Sequence, residues 1–205
     1  MPGLKIDYLD QLEAAVEYLA KDESVKARIR RLKEDLAASP ETFTWATIEL
    51  AAIPRPLPAC IRSAWIFVLR QEVASGCHFH PDSVQHMLLL EGAGRSHIGG
   101  AWRPMVRYGT PGQPPEAAWS IIDRGVPHEF LPEGGDMVVI SFHTSPANEL
   151  DEVSCDSGRQ RHYCCFAPIR RKSSIVRTGT SALRYPSNLP VFSISDCTRR
   201  TSGVE

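Results

Sequence analysis

The chain is expected to fold as an all-β double-sheet barrel of the jelly-roll kind, preceded by a helical segment and followed by a disordered tail. Three observations lead there. Between Thr42 and about residue 157, short runs rich in β-branched and aromatic residues alternate with Gly- and Pro-rich turns. Residues 5 to 38 instead repeat apolar side chains at helical spacing. After about Tyr163 no periodicity is sustained, and Ser, Thr, Arg and Pro dominate. The domain boundaries that follow are 1–40 for the helical segment, 41–157 for the barrel and 158–205 for the tail.

In the helical segment Leu9, Leu12, Val16 and Leu19 form one stripe, continued by Val25, Ile29, Leu32 and Leu36. The phase slips near Asp22-Glu23-Ser24, so two helices or one kinked helix are expected. The Glu, Lys and Arg between these positions read as a solvated face. Ser39-Pro40 closes the segment, because the residue before proline is pushed out of helical geometry. Two strands follow, FTWATIELAAI and CIRSAWIFVLRQEV, joined by a connector stiffened by Pro54, Pro56 and Pro58. Then come a histidine-bearing strand, MLLLEGAG, a Gly/Pro-rich loop from Gly109 to Pro115, AAWSIID, a Gly-Val-Pro-His turn and the strand DMVVISFHT. No internal repeat stands out. Tyr108, Trp102 and Trp119 read as core packing or as lining of the barrel mouth.

Composition excludes more than it assigns. With 205 residues and a net charge of −1, nothing global points to nucleic acid or to a membrane surface. No apolar stretch approaches the roughly 18 to 20 residues of a membrane span. The first residues lack an apolar signal core, so a cytoplasmic location is expected. The six cysteines, Cys60, Cys77, Cys155, Cys164, Cys165 and Cys197, contain no CxxC pair, and reduced thiols are the expectation for them. Cys77 reads as a buried structural thiol, and His86 and His97 as surface residues. Arg170, Arg171 and Lys172 read as part of a solvated basic tail.

The chemistry concentrates in His78-Phe79-His80, with Gln85 five residues on and His128 behind a Gly-Val-Pro turn. In a strand, His-x-His turns both imidazoles to one face, and imidazole ligates Zn, Fe, Ni and Cu alike. A third histidine from a distant strand closes a facial metal site. The offset from His80 to Gln85 is odd, so a bend at Pro81-Asp82-Ser83 is needed to return Gln85, Met87 and Leu89 to the inner face. Gln85 is read as a metal ligand or as a hydrogen-bonding partner of whatever binds there. His143 is read as a core histidine or a catalytic acid-base. Arg62 and Arg70 read as outer-face residues or as clamps for a substrate carboxylate.

These runs carry a family resemblance. HFHPDSVQHMLLLEG resembles the first cupin motif, His-x-His followed by an acidic residue and a glycine, with Gln85 at the acidic position and Gly92 at the glycine. DRGVPHEF is similar to the second motif, with Gly125 and His128 at its glycine and histidine. The opening glycine of the first motif is absent, and Asp123 stands where proline is common. The resemblance implies a cupin jelly-roll barrel holding a divalent metal on His78, His80 and His128, with or without Gln85. A weaker resemblance, to the three-His thiol dioxygenases, rests on HFHPDS and on Ser141-Phe142-His143 at the spacing of their Ser-x-His relay. The tyrosine of that relay falls at Ser145, and Gln85 stands where some members have cysteine.

Two further considerations shape the functional expectation. Neutral ligands leave the full charge of a divalent ion uncompensated, which favours an anionic group on a small-molecule substrate. Iron(II) is the first choice of metal, with Mn, Ni, Zn and Cu as alternatives. The leading expectation is an Fe(II)-dependent dioxygenase. The alternatives are a non-catalytic binding cupin for sensing or storage, and a metal-dependent isomerase or epimerase using His143 as base. The helical segment could also serve a homodimer contact, and no helix-turn-helix signature supports DNA binding.

Overall fold

In a computed structural model, residues 8–158 and 160–162 form two helices and eleven strands. Helix α1 (Leu9–Lys21) and helix α2 (Glu23–Ala37) meet at Asp22, where the sequence stripe slips. Asp22 is the N-cap of α2, and its carboxylate accepts from the backbone N–H of Ser24 and Val25 at 2.7 and 3.2 Å. Two donors that a helix start leaves unpaired are thereby satisfied.

The strands are β1 (Phe43–Ile48), β2 (Ser63–Leu69), β3 (His78–Phe79), β4 (Gln85–Glu91), β5 (Gly94–Ile98), β6 (Ala101–Pro104), β7 (Trp119–Ile122), β8 (His128–Pro132), β9 (Met137–His143), β10 (Asp151–Ser154) and β11 (Gln160–His162). They build two antiparallel sheets, one in the order β1-β2-β9-β4-β7 and the other in the order β11-β10-β3-β8-β5-β6. This is the all-β jelly-roll that the sequence leads one to expect, with its helical segment in front. The first strand is shorter than FTWATIELAAI suggests, because Leu50–Ala52 turns into a single 3-10 turn. β11 pairs with β10, so the second sheet runs past residue 157. The rest of the basic tail, with Cys164, Cys165 and Cys197, lies outside the described residues.

Alternation along the first sheet separates two interiors. Ala64, Ile66 and Val68 of β2, Leu88 of β4, and Val138, Ile140 and Phe142 of β9 face the helices and pack with Leu12, Val16, Ile29, Leu32 and Leu36. The opposite face carries Leu69, Met87, Leu89, Ile122, Met137 and Val139, which pack with Phe130 of the second sheet inside the barrel. The helices therefore cover the outer face of the first sheet. His86 lies on that covered face: it is fully buried, and its Nε2 meets the Tyr8 hydroxyl at 2.8 Å. The surface position expected for it is corrected. Alternation gave the face, but nothing local announces that helices lie over it.

Two motif glycines explain themselves. Gly92 has φ +86°, and a Cβ there would stand 2.6 Å from the Asp136 carbonyl oxygen. Gly125 turns the chain into β8 with φ +71°, and its N–H donates to the His80 carbonyl at 2.8 Å. Cys77 and Cys155 are joined in a disulfide across 78 residues, with their Cα atoms 5.4 Å apart. The expectation of reduced thiols is thus corrected for this pair. Cys60 is free and exposed. Among the described residues no helix is long and apolar enough to cross a membrane.

Candidate metal centre

β3 and β8 are neighbours in the second sheet, with His78 directly opposite His128. His80 follows β3 by one residue. The potential ligand atoms of His78, His80 and His128 all lie within 4.8 Å of one another. The tautomers follow from the outer contacts. His78 Nδ1 donates to Gly76 O at 2.9 Å, His80 Nδ1 to Asp151 O at 2.6 Å, and His128 Nδ1 to Val126 O at 2.9 Å. A carbonyl can only accept, so each Nδ1 carries the proton and each neutral ring presents its lone pair on Nε2.

Burial keeps two of these rings neutral. His80 is held below its ordinary pKa by loss of solvent and then by His78. His128 is pushed down to about 2 for the same two reasons, burial first. Its Nε2 is buried with no hydrogen-bond partner among the described residues, which is costly unless an acceptor of that lone pair arrives. Three nitrogen donors, one of them an orphan, fit a divalent metal ion. His78 is the more open member, with its side chain 14% exposed, and marks the side of the triad nearest solvent.

Gln85 reaches the inner face through the predicted bend, alongside Met87 and Leu89. Its Nε2 donates to Ser141 Oγ at 3.0 Å, and Ser141 Oγ lies 2.9 Å from His143 Nε2. The His143 Nδ1 faces Ser83 Oγ at 3.3 Å. His143 is fully buried and held well below its ordinary pKa, by desolvation first and then by His80. The rings of His143 and His80 are 4.9 Å apart. Gln85, Ser141, His143 and Ser83 thus form one buried chain of hydrogen-bonding groups beside the triad. The Gln85 Oε1 atom is buried with no partner among the described residues. Ser145, at the position of the relay tyrosine, donates instead to Asp82 O at 2.9 Å and braces the bend.

The two arginines do not join the site. Arg70 donates to Leu36 O, Ser39 O and Glu41 O at 2.6, 2.7 and 2.8 Å, closing the C-terminal end of α2. Arg62 is exposed. The two positions flank β2 in phase with its helix-side residues Ala64, Ile66 and Val68, which is the outer-face alternative of their reading. Trp102 is 41% exposed on β6 and stacks on the half-buried His97. Sequence reasoning missed Glu152, whose Oε2 lies 3.8 Å from His78 Nε2. No motif position marks it. A separate cleft of about 370 Å³ between α1 and the 106–118 loop is lined by Asp10, Glu13, Glu17 and Tyr108, and none of the triad reaches it.

Two antiparallel sheets with a triad from β3, the residue after it and β8 fit the fold that the two sequence motifs imply, and the three-His group can hold a metal. The chain is similar to an oxalate oxidase solved with the substrate analogue glycolate (TM-score 0.39, 16% identity, 53% of this chain and 53% of that one). It is also similar to a salicylate 1,2-dioxygenase from Pseudaminobacter salicylatoxidans (TM-score 0.48, 13% identity, 63% and 37%). A third similarity is to vicilin from Solanum lycopersicum (TM-score 0.38, 11% identity, 45% and 24%). The chain spans less than two thirds of the length of each of these. No protein-family profile and no curated protein matches the chain.

Proposed function

We propose that the chain is a mononuclear metal-dependent enzyme, an Fe(II)-dependent dioxygenase acting on a small anionic molecule inside the barrel. The observation that carries this reading is the tautomer set. Backbone carbonyls hold all three Nδ1 protons, which leaves three convergent Nε2 lone pairs, and that of His128 has no other partner. Iron is preferred because open facial sites suit Fe(II) and imidazole is among its donors; Ni, Zn and Cu take imidazole as well, and Mn is the remaining alternative. When bound, such an ion supplies Lewis acidity and redox capacity.

The chain's own residues have separable tasks. His78, His80 and His128 hold the ion with their lone pairs. The amide of Gln85 is tethered to Ser141 through its nitrogen, and its carbonyl oxygen is buried with no hydrogen-bond partner among the described residues. His143 keeps Ser141 in place and is itself backed by Ser83. Both ring nitrogens of His143 face serine hydroxyls, so it reads as the middle of this chain rather than as a base open to substrate. That weakens the isomerase alternative, which needs such a base.

Oxygen consumption by the Fe(II)-loaded protein, screened over small carboxylic acids and thiols, tests the reading. Turnover with at least one, abolished in His128→Ala, is the expected result. No turnover across the panel with iron demonstrably bound would refute it.

A further inference from the structure

We propose that Glu152 is a fourth ligand of the metal centre, supplying the carboxylate that Gln85 cannot. The inference rests on the three-His reading above and adds a residue from β10, outside both sequence motifs.

The register places Glu152 on the correct face. Ser154 lies directly opposite His78 in the β10–β3 pair, so their side chains share a face, and Glu152 shares it with Ser154 by the period of two. From there its side chain reaches diagonally across the pair, a distance that long side chains span. The contact is to the significant nitrogen. His78 Nδ1 is occupied by Gly76 O, and the Glu152 Oε2 lies 3.8 Å from Nε2, the atom that carries the lone pair. Two donors held by one ion at about 2.0–2.2 Å stand roughly 3 Å apart. The carboxylate lies outside the three-His group, whose ligand atoms are within 4.8 Å of one another, and has to close in from 3.8 Å when an ion binds. The Glu152 side chain is only 13% exposed.

Charge gives the reason for a carboxylate here. Three neutral imidazoles leave a divalent ion with its whole charge in a buried site, where uncompensated charge is costly. An amide at position 85 removes none of it, and one carboxylate brings the net charge to +1. A monoanionic substrate group then completes neutrality, which narrows the substrate class to molecules presenting one carboxylate, enolate or thiolate. β10 is also well held for the task. It carries the Asp151 carbonyl that fixes His80, and the Cys77–Cys155 disulfide ties the segment after it to the residue before His78.

The test is anaerobic titration with Co(II), reading the visible d–d spectrum and the Kd by chelator competition. Wild type, Glu152→Gln and Glu152→Asp are compared, with thermal unfolding of each metal-free protein as the folding control. Ligation predicts a Kd at least tenfold weaker and a changed spectrum in Glu152→Gln, with Glu152→Asp recovering part of both. A wild-type spectrum in Glu152→Gln overturns the proposal, even where affinity falls, because a nearby charge alters affinity without entering the coordination sphere. If Glu152→Gln does not fold, an unaltered spectrum in Glu152→Asp overturns it equally. Absence of Co(II) binding by the wild type is a different result, which removes the three-His reading itself.

Discussion

The barrel interior has two ends made from the same strands. Along β4 the inward positions run Gln85, Met87, Leu89, and along β9 they run His143, Ser141, Val139, Met137. At one end Leu69, Leu89, Phe130, Met137 and Val139 pack together, while Met87 and Ile122 of the same cluster stand at the border, opposite Ser141 and Gln85. At the other, His80, Gln85, His128, Ser141 and His143 are equally buried. The β4–β9 ladder runs in one register from Gln85, opposite His143, to Leu89, opposite Val139, and shifts only beyond Leu89. The lesson is a division of labour along each strand. The apolar end stabilises the barrel, and the polar end accepts buried lone pairs that cost stability and become useful when an ion takes them.

That division is open to direct attack. Truncation at the apolar end has the largest expected effect on stability: Leu89→Ala, at a fully buried position, should cost about 2–5 kcal/mol. Urea unfolding measures this, and metal content should stay unchanged. Equal loss of metal would show that the two ends are not separable. Next in size is the disulfide. Cys77→Ser with Cys155→Ser opens a loop of 78 residues and should cost about 2–4 kcal/mol. An unchanged unfolding midpoint would mean that the bond adds nothing in solution.

The most graded test is pH. His80, His86, His128 and His143 have folded pKa values below their ordinary ones, mainly through burial. The unfolded chain therefore takes up protons first as pH falls. Stability of the metal-free protein should be level above the ordinary histidine pKa of about 6.5 and decline below it. The decline should reach at most about 1.4 kcal/mol per pH unit for each such histidine. Urea midpoints between pH 8 and 5 give the slope, and a flat profile would contradict the neutral, buried state assigned to these rings. Asp22, lowered to about 2 mainly by the Ser24 hydroxyl, adds a smaller loss of the same sign as pH falls through the carboxylate range towards 2.

Much of the site was legible in the chain because it depends on short-range rules. His78 and His80 follow from the period of two, Gln85 from the bend at Pro81, and the helix break from the slipped stripe at Asp22. What escaped depends on which strands become neighbours. Cys77 meets Cys155, and Glu152 meets His78, only because β10 pairs with β3, a pairing that leaves no trace in either segment. Arg70 was ambiguous for the same reason: its alternation with Arg62 was plain, but the end of α2 that it closes is 30 residues and more away. His86 shows the converse, a correct face with an unforeseen cover.

The central claim is that the three histidines hold a metal ion, and elemental analysis tests it most directly. The protein, purified without added metal and after anaerobic Fe(II) loading, is measured beside His80→Ala. The account predicts near-stoichiometric metal in the wild type and background levels in a variant that remains folded. No metal in the loaded wild type, or equal metal in both proteins, would contradict it.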